Sequence, residues 1–326
     1  MPDSSISARG AILVSDLIAE RHAKELAAIA PERSIVSLTP EGLRGPIEEI
    51  EIAFFSGDCF PDRAAPFMGA AYAAKQLRWL HSFSAGVDSP AFTNLVRRGI
   101  RVSHSSGANA VAVAHCAMSG LMALSRELPT RLEDQRAHQW ERRLSRDLEG
   151  NTLAVLGLGP IGLEVGRIGE ALRMKVIGLR RRARGDEPFE TWGFDRLDDL
   201  LRIADYIVLA LPLTPETHHL FDDARLDKLK PEAAIINVGR GELFDESALI
   251  RALTSGKVRA AALDVFEEEP LPESSPLWDL PNVIVTPHCG GYTEASHRHA
   301  VDHFFENLAK YEAGEDLHNE MPPTAK

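Results

Sequence analysis

Val155-Leu156-Gly157-Leu158-Gly159-Pro160-Ile161-Gly162 decides how the rest of the chain is read. A GxGxxG spacing alone is a weak signal. Here it follows the apolar run 153–156, opens a helical pattern that continues to about residue 173, and leads into a second β-type run at 175–179. Strand, glycine turn, helix and strand in that order are what a dinucleotide-binding unit requires. Gly157 permits the tight turn, Gly159 lets the backbone approach a pyrophosphate, and Gly162 allows close helix–strand packing. The helix N-terminus adds unpaired N–H groups and a partial positive charge. Leu158, Pro160 and Ile161 complete the predicted cofactor turn.

Outward from this turn the alternation continues. Apolar runs at 206–209, 234–237, 261–264 and 283–285 bring the strand candidates to six, which fills a doubly wound sheet. Upstream, 11–14 precedes a helical pattern at 16–30, and 52–55 and 80–83 read as later strands of a second parallel α/β layer. An Ala-rich helix runs from Gly107 to about Leu128, its small residues suited to close packing against the other domain or another subunit. A polar, Arg-rich stretch follows at 131–150, and the last helix covers about 293–311. The predicted fold is α/β. A Rossmann-type doubly wound parallel sheet domain, residues 106–291, is inserted into a smaller flavodoxin-like α/β substrate domain, residues 1–105 plus 292–326. Crossings near Ser106 and Gly291 would serve as hinges about a substrate cleft.

Composition narrows the function. The 326 residues suit two domains, and 44% hydrophobic with 26% charged is ordinary for a globular chain. Lys and Arg total 36 against 48 Asp and Glu, a net −12, which disfavours general binding to nucleic acid or anionic membrane. The three cysteines, Cys59, Cys116 and Cys289, are far apart, so neither a disulfide framework nor a zinc knuckle is expected. The first residues lack the pattern of a signal peptide, and the stretch 107–124 is interrupted by Asn109, His115 and Ser119. A cytoplasmic location is expected, with no metal site, since His299 and His303 lack a third ligand.

The end of the second strand bears on which dinucleotide fits. Arg180-Arg181-Arg182 lies 23 residues beyond Gly157, with Arg184 following, where NAD-binding chains carry an acid for the ribose hydroxyls. A carboxylate there would repel a 2′-phosphate, whereas guanidinium groups bind it by charge-assisted hydrogen bonds. NADP(H) is therefore the expected cofactor, with NAD(H) second.

Three further clusters sit at later strand ends: Asn237-Val238-Gly239-Arg240-Gly241, Asp264 to Pro270, and Thr286-Pro287-His288-Cys289-Gly290-Gly291. Ligands of open parallel sheets bind at the carboxyl edge, where these residues are predicted to lie. Together with 211–217, with Ser84-Ala85-Gly86-Val87-Asp88 near the front and with 306–308 near the end, they resemble the D-isomer-specific 2-hydroxyacid dehydrogenase family. The resemblance spans nearly the whole chain, is most specific over 153–291, and is weak before about residue 78. The arginine-rich strand end is similar to that of the family's NADP-using glyoxylate, hydroxypyruvate and hydroxyphenylpyruvate reductases.

That resemblance implies an oxidoreductase passing a hydride from NADPH to a small 2-oxo acid (glyoxylate, hydroxypyruvate or an aryl pyruvate) to give the D-2-hydroxy acid. It makes His288 the general acid/base, Glu269 its partner and Arg240 the substrate grip, with Ser84, Ala85 and Gly86 holding the substrate carboxylate through exposed N–H groups. It adds cofactor contacts at Leu211, Pro212, Thr217, Val238, Gly239, Arg240, Asp264, His288 and Gly290, and a homodimer through the dinucleotide-binding domain, with Trp140 in the contact. The roles match the chemistry. Hydride addition develops negative charge on the carbonyl oxygen, which needs a proton donor within hydrogen-bond reach. A histidine donates near neutral pH, a carboxylate favours its charged form, and a guanidinium stabilises the oxyanion.

Some residues depart from the family pattern. Val113-Ala114-His115-Cys116 stands where its helix usually reads VAEH, a change expected to affect packing more than catalysis. Cys289 reads as an inert buried thiol, and Arg142, Arg143 and Arg146 as solvated. The competing assignments are a dinucleotide-sensing interaction protein of corepressor type, or the same fold acting on formate or phosphite.

Overall fold

The computed structural model describes residues 9–87 and 89–323, so Asp88 of the front motif lies outside the described residues. The chain divides into two compact units, Met1–Asn109 with Thr293–Lys326, and Ala110–Tyr292. The first boundary falls beyond the expected Ser106 because the helix Ala110–Ser125 packs wholly within the second unit. There Val113, Ala114, Ala117 and Leu121 share a core with Val155, Ile236 and Ala262. Its small residues serve that packing, since a Cβ on Gly120 would lie 2.7 Å from the Cβ of Ala262. The partner of the Ala-rich face is therefore its own sheet.

The first unit holds a six-stranded sheet of β1 (Ala11–Ser15), β2 (Ile35–Thr39), β3 (Gly42–Arg44), β4 (Ile50–Phe55), β5 (Trp79–Ser82) and β6 (Arg101–His104). Its order is β3-β2-β1-β4-β5-β6, parallel except for the β2–β3 hairpin. The predicted helix at 16–30 is two helices, Asp16–Arg21 and Ala23–Ile29, broken at His22, whose φ of −117° leaves the helical range. The last helix, Glu294–Ala313, is started by the Thr293 hydroxyl accepting from Ser296 N–H and stopped by Gly314 at φ +73°. It covers one face of this sheet, where Phe304 stacks on Phe54 and Trp79.

The second unit holds β7 (Thr152–Leu156), β8 (Lys175–Arg180), β9 (Glu190–Gly193), β10 (Tyr206–Leu209), β11 (Ala234–Asn237), β12 (Ala260–Leu263) and β13 (Val283–Val285). They form a seven-stranded all-parallel sheet in the order β13-β12-β11-β10-β7-β8-β9. The order reverses at β7, so the glycine turn leaves the sheet at its switch point, where a ligand crevice forms. Helices cover both faces, which is why β7, β10 and β11 read as unbroken apolar runs. Among the described residues no helix is long and apolar enough to cross a membrane.

A second helix begins where the Ala-rich helix was expected to end. Leu128–Arg136 is helical, and Arg143 makes paired bonds of 2.9 and 3.0 Å to Asp134 at its end. Arg146 pairs with Glu232 at 2.6 Å. Arg142, Arg143 and Arg146 are all exposed, as expected, and two of them also pair with acids of their own unit.

Candidate active site

The glycine turn is built for close approach. Gly157 has φ +99°, and a Cβ there would lie 2.5 Å from the Ala210 carbonyl oxygen at the end of β10. Gly162 is tighter still, since its Cβ would sit 1.8 Å from the Gly157 oxygen. Gly159, the N-cap of the helix Pro160–Ala171, has open space at the same position, and no side chain caps the helix. No side-chain cap therefore competes for the first-turn N–H groups, as a pyrophosphate cradle requires. Leu158 packs into the core, while Pro160 is exposed beside the turn.

The neighbouring strand ends complete this edge. Arg180, half-buried, donates to Glu187 at 3.1 Å, whereas Arg181, Arg182 and Arg184 are exposed. After β10, Leu211 is buried and Pro212 exposed. Thr217 is buried, and its hydroxyl donates to the Pro212 carbonyl at 2.8 Å while accepting from Thr214 N–H at 2.8 Å. Its hydroxyl thus shapes the loop from within.

Arg240 follows β11 in a turn braced by Asn237, whose side chain accepts from Gly239 N–H at 3.0 Å and donates to the Arg240 carbonyl at 2.9 Å. The flanking glycines have separate reasons. A Cβ on Gly239 would meet the Leu211 oxygen at 2.9 Å, and one on Gly241 would meet the Phe266 carbonyl carbon at 1.8 Å. The turn is wedged between two other strand-end loops, which fixes where the guanidinium starts. Val238, just before it, is buried.

His288 Nδ1 and Glu269 Oε2 are 2.6 Å apart, and Glu269 Oε1 accepts from Phe266 N–H at 3.0 Å. The carboxylate is thus held by its own loop and fixes the imidazole, leaving Nε2 as the ring nitrogen that Glu269 does not use. The hydrogen bond to Glu269 raises the His288 pKa above the ordinary value, against opposition from burial and from the Arg240 charge. Burial alone would raise the Glu269 carboxyl, but the His288 bond, the Phe266 N–H and the Arg240 charge together hold it below the usual range. Arg240 acts on both partners, so the three predicted catalytic side chains share one electrostatic neighbourhood.

Asp264 has a role that spacing did not reveal. Its buried carboxylate accepts from the Thr286 hydroxyl at 2.6 Å, from Cys289 N–H at 3.1 Å and from Gly290 N–H at 2.9 Å. These bonds hold His288 with φ +47°, a backbone region that non-glycine residues seldom occupy. Strain of this kind persists where the surroundings over-determine it. Gly290 is needed at the same place, because a Cβ there would lie 2.9 Å from the Asp264 carboxylate. Cys289, expected to be buried, is exposed: the turn spends its backbone N–H on Asp264 and points its side chain outward.

In the other unit, the turn after β5 folds on itself. Gly86 N–H donates to the Ser84 hydroxyl oxygen at 3.2 Å, and that hydroxyl donates to the Gly86 carbonyl at 2.8 Å. Of the two N–H groups expected to be exposed, that of Gly86 is therefore bonded within the turn. Ala85 lies at its apex, half-buried.

The sequence profile described as D-isomer specific 2-hydroxyacid dehydrogenase, NAD binding domain, matches residues 118–290. The chain belongs to the D-isomer-specific 2-hydroxyacid dehydrogenase family. It is accordingly an oxidoreductase that uses a nicotinamide dinucleotide. It is similar to D-3-phosphoglycerate dehydrogenase of Methanocaldococcus jannaschii, 34% identical over 313 residues, covering 94% of this chain and 58% of that longer protein. Glyoxylate/hydroxypyruvate reductase B of Pectobacterium atrosepticum is 35% identical over 258 residues, 77% of this chain and 80% of the relative. Among solved structures, a family member from Xanthobacter autotrophicus Py2 in complex with NADPH and MES superposes with a TM-score of 0.78 at 31% identity, covering 97% of this chain and 99% of that one.

Proposed function

We propose that the enzyme is an NADPH-dependent reductase of small 2-oxo acids, with glyoxylate, hydroxypyruvate or an aryl pyruvate as substrate and the D-2-hydroxy acid as product. The observation that carries this reading is the His288–Glu269 pair under the charge of Arg240. Bound NADPH supplies the hydride. Protonated His288 donates from Nε2 to the carbonyl oxygen, and Glu269 stabilises the imidazolium beforehand and fixes the ring. Arg240 polarises the carbonyl and pairs with the substrate carboxylate, offsetting the negative charge that develops. Ser84, Ala85 and Gly86 form the second substrate-binding element. Gly157, Leu158, Gly159, Pro160, Ile161 and Gly162 would hold the cofactor, with Leu211, Pro212, Thr217, Val238, Gly239, Asp264 and Gly290 as its further contacts. The arginine run Arg180, Arg181 and Arg182 would supply the neighbourhood of its 2′-phosphate, directly or by bracing. Purified enzyme should oxidise NADPH faster than NADH at low cofactor with at least one acid of a 2-oxo acid panel. Turnover of none would replace the reductase by a dinucleotide-sensing protein, and turnover of formate or phosphite would keep the fold with a different substrate.

A homodimer through the dinucleotide-binding unit belongs to the same proposal. Trp140 and Leu144, on the extended segment after Leu128–Arg136, are 92% and 95% exposed. Two large apolar side chains so completely in solvent support a contact there. The same unit carries an apolar groove of about 680 Å³, whose lining includes Leu128, Leu132 and Trp278. Light scattering should give twice the chain mass, and Trp140→Ser should shift the population to monomer.

A further inference from the structure

The loop joining β8 to β9 contains a carboxylate that no role assigned so far uses. Only nine residues, 181–189, link these parallel strands, fewer than a crossover usually takes, and no helix intervenes. The loop is pinned at its far end by Phe189. That ring fills the space over two glycines, since a Cβ would meet it at 2.2 Å on Gly166 and at 2.9 Å on Gly178. In the middle stands Glu187, its side chain only 5% exposed. Oε1 accepts from Arg184 N–H at 2.7 Å and from Arg180 Nη1 at 3.1 Å, and Oε2 accepts from Gly185 N–H at 2.8 Å. Gly185 has φ +87°, the conformation that turns two successive N–H groups toward one anion.

The loop thus closes on itself around a carboxylate, and the first arginine of the run is spent inside that closure. The side chains of Arg181, Arg182 and Arg184 make no hydrogen bond or ion pair among the described residues, and all three are exposed. Arg181 is further located by its effect on Glu216. That carboxyl is held below the usual range first by the Thr214 hydroxyl and more weakly by the Arg181 charge. Glu216 follows β10, Arg181 follows β8, and between them in the sheet lies β7 with its glycine turn. Arg181 therefore follows the strand beside β7, on the side of the glycine turn where the adenosine half of a dinucleotide would lie.

We propose that Glu187 is the positioning residue of the 2′-phosphate site: by bonding Arg180 and the N–H groups of Arg184 and Gly185 it sets the turn that presents Arg181 and Arg182 to the phosphate. Arg180 is then a brace, and the phosphate is bound by the two arginines after it. The Glu187 carboxyl is held down at about 2, chiefly by the Arg184 N–H, so the anion persists throughout the working pH range. This inference rests on the NADP reading of the arginine run. It adds which residues bind and which residue positions them.

The test is calorimetric binding of 2′,5′-ADP and of ADP to the full chain, with no turnover involved. Wild-type protein should bind 2′,5′-ADP at least about tenfold more tightly than ADP. Glu187→Gln should weaken 2′,5′-ADP about tenfold while ADP stays within about twofold, so the ADP arm reports an intact fold. Arg180→Met should keep 2′,5′-ADP within about threefold, and the double variant Arg181→Met with Arg182→Met should abolish the preference. Wild-type protein that binds the two nucleotides equally would overturn the NADP reading itself. A preference retained in Glu187→Gln would overturn the role of Glu187 alone, and tighter 2′,5′-ADP binding in that variant would do so by showing that the carboxylate competes with the phosphate. Loss of the preference in Arg180→Met but not in the double variant would overturn the division between brace and ligand.

Discussion

In the six-stranded sheet the polar groups of Trp79, His81 and Ser103 turn inward and satisfy one another. Trp79 Nε1 donates to the Ser103 hydroxyl at 2.9 Å, His81 Nδ1 shares that hydroxyl at 2.7 Å, and His81 Nε2 reaches Ser105 at 3.0 Å. Burial pushes the His81 pKa down to about 3, so the ring is neutral and serves as a linker of strands. In the seven-stranded sheet the strand interiors are apolar and the polar groups gather at the carboxyl ends. There Asp264, Glu269, Arg240 and His288 carry charge or accept it, and His288 stands half-exposed. The contrast separates two uses of a histidine. One is buried, neutral and fully bonded, and supports the architecture. The other is raised in pKa, strained in backbone and open at Nε2, and is placed for proton transfer.

Three variants bear on that contrast. His288→Ala should lower kcat by about 10² to 10⁴-fold, the usual worth of a general acid, with the melting temperature nearly unchanged. An unchanged kcat would put both histidines in the same structural class. Glu269→Gln acts through the pKa. Glu269 is the largest cause raising the His288 value, so its loss lowers that value. Reduction needs protonated His288, hence the alkaline limb of the pH–rate profile should move to lower pH, with about a tenfold loss on that side. A limb that stays in place would detach Glu269 from the proton donor. Ser103→Ala should do the reverse of His288→Ala. It leaves Trp79 Nε1 and His81 Nδ1 without their partner, at a cost of about 1–3 kcal/mol, so the melting temperature should drop by several degrees while kcat holds.

What was legible in the sequence follows the same division. The strands β7, β10 and β11 are covered on both faces, so they stood out as continuous apolar runs. β6 was missed because Ser103 and His104 interrupt what would otherwise be an apolar run, and the polarity of Ser103 is used by neighbours the chain order does not disclose. β9, Glu-Thr-Trp-Gly, was missed as a short edge strand with no fully buried residue. At the site, glycines, arginine, acid and histidine were visible as residue types at strand ends. What they do for one another was not. Asp264 braces the His288 turn through two backbone N–H groups, and backbone partners leave no mark on side-chain spacing. Glu187 was hidden in the same way, as an acid in a polar loop, although its place two residues after a glycine and seven after a strand-end arginine is the signal to seek elsewhere.

Phe189 carries the last consequence. Its ring is buried against Gly166 and Gly178 and belongs to the apolar core between sheet and helix. Anchorage and recognition are thus divided between adjacent segments of a single connection. Libraries that vary residues 181–184 and 186 while keeping Gly185, Glu187, Phe189 and the two glycines under its ring should therefore return folded proteins with altered coenzyme choice.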